Sequence, residues 1–163
     1  MDPYVKLSKD AIKYYLKTKS YLTDFDDYFK NKNNGVRVEV KNEGRLKGIS
    51  GSLFPSKENL GLDIVFESIN AGFFDLSFNP ITQDNLDKLD ITVYEFTEVE
   101  KFTFVENFDN FHGIMINFLD QDHYVLRKDF SSDMDMLKKA LELANVDSWD
   151  NFSIDKFKLK IHK

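Results

Sequence analysis

The sequence predicts an α+β fold, a mainly antiparallel sheet with flanking helices. Three observations point there. Apolar residues recur at helical spacing in well-separated segments near Leu7, Leu62 and Leu137. Alternating segments are joined by the short polar turns Asn42-Glu43-Gly44 and Asp120-Gln121-Asp122, which signal hairpins. Strands and helices mix without the regular alternation that builds a parallel sheet.

Each element follows from its own pattern. Leu7, Ala11, Ile12, Tyr15 and Leu16 predict a helix from Ser8 to about Lys19, with Ser8 as its N-cap. Tyr21–Lys32 is aromatic but polar and reads as a second, short helix. Asn33-Asn34-Gly35 is a turn. Val36, Val38 and Val40 then alternate with Arg37 and Glu39, the mark of a half-buried strand. A hairpin leads into a strand over Arg45–Phe54. Pro55-Ser56 opens the next helix, with Ser56 as cap and Leu62, Val65, Phe66, Ile69 and Phe73 as its apolar stripe. Asn79-Pro80 breaks the chain, and Thr82 caps a short helix through Leu86. Leu89–Phe96 alternates as a strand. Phe102–Phe111 reads as loop. His112–Phe118 and His123–Leu126 read as strands around Asp120-Gln121-Asp122. Asp133 starts a helix to about Ala144, with Met134, Leu137, Leu141 and Ala144 on its apolar side and Asn145 as C-cap. Asp147-Ser148-Trp149 turns the chain into a last strand, Phe152–Ile161.

A chain of 163 residues is expected to form one domain over 1–163. The 16 Phe and 7 Tyr predict a core rich in rings. The formal net charge of −6 argues against broad nucleic-acid binding, which needs a basic footprint. Lys156, Lys158, Lys160 and Lys163 read as the solvent face of an edge strand guarded by lysines. The absence of cysteine removes disulfides, thiolate nucleophiles and Cys-based metal sites, and fits a reducing compartment. No apolar run is long enough for a signal core or a membrane span, so the expectation is a cytoplasmic protein without membrane contact.

Several constellations carry two readings. Gly48 and Gly51 interrupt a strand: they let a ligand approach the backbone near Ser50, or they mark a bulge and close packing. Lys47 is a cation for an anionic ligand or a solvent-facing lysine. Asp75, Ser77 and Asn79 alternate with Leu76 and Phe78, either lining a cleft or capping a turn. His112, His123 and His162 lack a metal-site spacing, so no metal and no cofactor is called for. No phosphate loop and no nucleophile elbow is present, since Gly48-Ile49-Ser50-Gly51 lies mid-strand. Asp24, Asp26, Asp27, Asp133 and Asp135 read as solvated or helix-terminal charge. Tyr21, Phe25, Tyr28 and Phe29 read as a core face, or as a partner surface where exposed.

The order of these pieces resembles the AMMECR-type domain family, the component-A proteins of AmmeMemoRadiSam systems. The family hallmark Leu-Arg-Gly-Cys-Ile-Gly stands here as Leu46-Lys47-Gly48-Ile49-Ser50-Gly51, followed by Pro55. The family's Asp-Pro-Arg-Phe-x-Pro stands as Asp75-Leu76-Ser77-Phe78-Asn79-Pro80, and its following strand as Leu89-Asp90-Ile91-Thr92-Val93. Gly35-Val36-Arg37-Val38, Ala11-Ile12-Lys13-Tyr14-Tyr15-Leu16 and His112-Gly113-Ile114-Met115-Ile116 also fit, so the likeness runs over nearly the whole chain. It implies two lobes with a cleft near the hallmark strand, and a Memo-like or radical-SAM protein as partner. The chain departs from the family at Ile49, Lys47 and Ser77, where the motifs carry Cys, Arg and Arg. That weighs against catalysis that depends on the Cys or on the Arg at position 77.

Two functional expectations follow. In the first, the chain is a binding or accessory module whose ligand meets Lys47, Gly48, Ser50, Gly51, Asp75, Ser77 and Asn79. In the second, it is an enzyme or enzyme subunit, and Ser50, Asp75 or His112 converge to supply the chemistry.

Overall fold

Asp2 starts the first helix. Its carboxylate accepts the backbone N–H of Tyr4 at 2.8 Å, and Pro3 takes the first helical position, where a missing N–H costs nothing. In the computed structural model, which describes residues 1–102, 110–147 and 152–163, α1 therefore spans Pro3–Thr18 and ends on Lys19 in the left-handed region. Ser8 is not the cap. It is buried inside the helix, its hydroxyl 2.6 Å from that of Ser68. In the Tyr21–Lys32 stretch only Asp27–Lys30 is helical (α2), with Asp26 as its cap.

The third helix, α3, spans Leu60–Ile69 and is capped by Asn59, whose side chain accepts Leu62 N–H at 3.0 Å. The expected cap, Ser56, instead donates both its N–H and its hydroxyl to the buried Asp63. The helix buries Leu60, Ile64, Val65 and Ile69, while Leu62 and Phe66 are half-exposed. Each fully buried aliphatic side chain contributes about 1.5–3 kcal/mol. Thr82 opens a 3₁₀ turn over Gln83–Lys88, where Asn85 Oδ1 accepts both the N–H and the hydroxyl of Thr82.

The strands are β1 Gly35–Asn42, β2 Arg45–Gly51, β3 Leu89–Lys101, β4 Gly113–Phe118, β5 Gln121–Leu126 and β6 Phe152–His162. They are ordered β2-β1-β3-β6-β4-β5, and the β1–β2, β1–β3, β4–β5 and β4–β6 ladders are antiparallel. Glu43 and Gly44 (φ 50° and 77°) form the tight turn of the first hairpin. Leu119 and Asp120 (φ 51° and 60°) form that of the second. That turn sits earlier than Asp120-Gln121-Asp122, so Gln121 and Asp122 belong to β5. β2 stops at Gly51 rather than Phe54.

The chain divides into two compact units. The first comprises Met1–Phe96 with Lys160–Lys163, and the second Thr97–Leu159. The first unit's core gathers α1, α3, β1 and the start of β3, with Ile12, Val38, Val40, Ile64 and Val93 fully enclosed. In the second unit, α4 (Asp133–Leu143, capped by Ser132) lays Met136, Leu137 and Ala140 against Ile114, Ile116 and Ile154. Met134 points to solvent and Met136, two residues on and about 200° round the helix, takes the core position instead. Asn145, in the left-handed region, closes the helix as expected. β6 is not an edge strand. It lies between β3 and β4, and Ile154, Asp155, Lys156 and Phe157 are all buried. Lys156 escapes the cost of burial by pairing with Glu100 at 3.6 Å over the Phe111 ring, and Lys158 pairs with Glu98 at 2.9 Å. Most of the expected Phe102–Phe111 loop, and Ser148 and Trp149 of the expected turn, lie outside the described residues.

A polar network closes the first unit. Glu95, 1% exposed, accepts the Tyr4 hydroxyl at 3.0 Å and the Asn34 amide at 2.7 Å. The His162 ring stacks on Tyr4 at 3.6 Å, with Nδ1 3.0 Å from Asp2 and Nε2 3.5 Å from Glu95. Burial, then the neighbouring Tyr28 hydroxyl and the Glu95 charge, push the Tyr4 phenol far above its ordinary range. Lys32 reaches the Tyr28 and Tyr4 hydroxyls from the outer side. His162→Leu removes the group that bridges two carboxylates. It is expected to lower stability by about 1–3 kcal/mol in urea denaturation, with Asn34→Ala costing less.

Candidate functional site

The site is assembled where β2 meets the end of α3. The β1–β2 register passes from Val40↔Gly48 to Lys41↔Leu46, so Lys47 is the extra residue of a β-bulge beside Gly48. α3 does not end at Ile69 but widens into a π-helical turn over Asn70–Phe74, closed by the Asp75 N–H on the Asn70 carbonyl at 3.0 Å. That turn drives the Ala71 carbonyl against β2. A Cβ on Gly48 would lie 1.7 Å from the Ala71 oxygen, and one on Gly51 would lie 2.3 Å from Arg37 Cα. Close backbone approach accounts for both glycines.

Two carboxyl groups meet this strand. Asp75 Oδ2 accepts the Ile49 N–H at 3.1 Å and Oδ1 accepts the Ser77 N–H at 3.0 Å, so one side chain ties the turn to β2. Partial burial works to raise its pKa. The hydrogen bonds from Ile49 and Ser77 outweigh that and hold it below the ordinary carboxylate value. Glu67, on α3, is buried and accepts the Ser50 hydroxyl; the Asn70 side chain also bonds it. Here burial dominates, and its carboxyl is pushed upward despite those bonds. Gly48 and Ser50 sit two residues apart and so share the face of β2 that looks onto α3 and its π-helical end.

The expected site residues are thus unevenly placed. Gly48, Ser50 and Asp75 come together around α3 and the turn. Lys47 is half-buried at the bulge, and Gly51 ends β2 against β1. Ser77 and Asn79 stand exposed on the turn. Each of the three expected catalytic side chains has its own partner: Ser50 binds Glu67, Asp75 binds Ile49 and Ser77, and His112 Nδ1 accepts the Leu159 N–H at 3.0 Å. Sequence reasoning passed over Glu67 and Asn70. Their signal was present, since Asp63, Glu67 and Asn70 recur at i, i+4 and i+7 on an otherwise apolar helix. Among the described residues no helix is long and apolar enough to cross a membrane.

The comparisons with known proteins agree with this architecture. A family profile described as AMMECR1 matches residues 5–160. The chain belongs to the AMMECR1 family. Protein CA_C1420 of Clostridium acetobutylicum is 30% identical over 99% of this chain and 36% of its own length. A protein of Thermotoga maritima is 31% identical over 56% of this chain and 54% of its own length. The chain thus spans about a third to a half of these relatives. The crystal structure of the uncharacterised protein PH0010 from Pyrococcus horikoshii has the same fold, with a TM-score of 0.78 over 99% of this chain and 91% of that one, at 20% identity.

Two predictions follow. Gly48→Ala forces the π-helical turn off β2 and is expected to cost about 3 kcal/mol or more, read as a loss of thermal and urea stability. Glu67 binds its proton more tightly in the fold than in the unfolded chain. Its contribution to stability therefore falls as pH rises above the ordinary glutamate value of 4.5. Glu67→Gln keeps the shape and an acceptor for Ser50. Its Tm is expected to exceed that of the unmodified protein at neutral pH, with the difference shrinking towards about pH 4. An unchanged difference across that range would rule out the charge cost.

Proposed function

We propose that this chain is a binding module whose ligand sits against β2 and the π-helical turn. The observation that supports the reading best is the Ser50–Glu67 pair. A hydroxyl and a buried carboxyl drawn towards neutrality offer a donor and an acceptor side by side, in surroundings where an unmatched polar group is costly. Such a pair selects for a polar group (an amide, a hydroxyl or a carboxylic acid) on a small molecule or on a segment of a partner protein. Lys47 is the cation for an anionic end of that ligand. Gly48 and Gly51 act through the backbone path they permit, and Asp75, Ser77 and Asn79 form the rim. An accessory role in a radical-SAM-associated system, with a Memo-like or radical-SAM protein as partner, is the further part of this proposal and rests on the resemblance alone. An enzymatic role near Lys47–Gly51 and Asp75–Asn79 is the second reading; the raised Glu67 carboxyl speaks for it, because such groups gather at active sites.

The test is a nitrogen-15 NMR titration with acetamide, glycolate and glycine as probes. The Ile49, Ser50 and Asp75 amide signals are expected to move with at least one probe, and Ser50→Val to weaken that binding about tenfold. Absence of any movement at these amides would overturn the reading. Co-purification with a Memo-like or radical-SAM protein, weakened by Asn79→Arg, checks the partner arm.

A further inference from the structure

A second surface of the first unit, an aromatic one, adjoins that site through the π-helical turn. Tyr21 stacks on Phe66 with ring centroids 5.9 Å apart, and Tyr15 lies 6.1 Å from Tyr21, 4.9 Å from Phe73 and 6.0 Å from Phe74. These rings come from α1, the segment after it, α3 and the π-helical turn, so a continuous aromatic stripe crosses several elements. It is not core. Tyr21 is 43% exposed and Phe74 53%, and the others are partly open. A contiguous exposed apolar stripe on a soluble domain marks a contact surface.

Charge decides what the stripe receives. Lys57 lies 3.6 Å over the Phe66 ring at one end, and Lys19 lies 5.6 Å from the Tyr15 ring. Among the described residues neither ammonium pairs with a carboxylate, whereas Lys6, Lys30, Lys41 and Lys88 of the same unit do. The stripe thus presents aromatic faces and two lysines that form no salt bridge among the described residues, in a chain whose net charge is −6. We infer that it docks an acidic segment of a partner protein, one carrying an aromatic or aliphatic side chain flanked by Asp or Glu. The apolar side chain packs among the rings, as in groove recognition of short peptides. The flanking carboxylates pair with Lys19 and Lys57. A single-stranded nucleic acid also stacks on aromatic rings, but it needs a basic groove along its backbone, which two lysines in an acidic chain do not make.

Fluorescence anisotropy tests this with a labelled peptide, Asp-Glu-Phe-Asp-Asp-Leu-Glu-Glu, against the same peptide with Lys at every acidic position. An octathymidylate serves as the third probe. The acidic peptide is expected to bind at least about tenfold tighter than the basic one, and less tightly as salt is raised. Lys57→Glu and Tyr21→Ser are each expected to weaken binding about fivefold or more, with circular dichroism showing that both variants stay folded. Ser50→Val is expected to leave it unchanged, which separates this surface from the site on β2. No acidic-peptide binding up to about 1 mM, equal binding of the two peptides, tighter binding of octathymidylate, or insensitivity to both stripe variants would each overturn the inference.

Discussion

The contact between Gly48 and the Ala71 carbonyl governs the rest of the first unit. There is no room for a side chain between them. Because the strand and the π-helical turn touch backbone to backbone, Asp75 reaches the Ile49 N–H and Glu67 reaches Ser50. A side chain at position 48 would lift the helix end away and leave a buried carboxyl without its hydroxyl partner. The π-helical widening matters for the same reason, since it advances the Ala71 carbonyl beyond where a regular helix end would place it.

Two acidic side chains on this helix and turn respond in opposite ways to their surroundings. Asp75 accepts backbone N–H groups and is held ionised. Glu67 is buried and is driven towards its neutral form. The first acts as a fixed anchor between turn and strand. The second carries a poorly solvated charge, so its protonation responds more readily to its surroundings.

Much of the architecture was legible in the sequence. Alternation in Val36–Val40 and Leu89–Phe96, and the turn at Glu43-Gly44, led directly to antiparallel pairing, because these signals are local. Errors arose where a residue's partner was distant. Ser8 and Ser56 have the chemistry of caps, but Ser68 and Asp63 claim them from other parts of the chain. The lysines of β6 looked like edge protection until Glu98 and Glu100, on a strand far away in sequence, supplied their counter-charges. In the site, glycines and a polar turn announced a special strand. Glu67 stayed hidden because acidic residues on a helix are ordinarily surface residues, and only the fold shows Ser50 opposite it.

The first unit is discontinuous: Lys160–Lys163 complete what Met1–Phe96 begin. On the ribosome, α1, β1 and β3 emerge long before β6. Until His162 arrives, Glu95 and Asp2 face an open position beside Tyr4. This unit therefore completes its polar network only once β6 has been made, coupling α1 to a strand distant in sequence. A nascent chain stalled before residue 160 would lack the ring that stacks on Tyr4 and faces Asp2 and Glu95, so the first unit's polar network would stand incomplete.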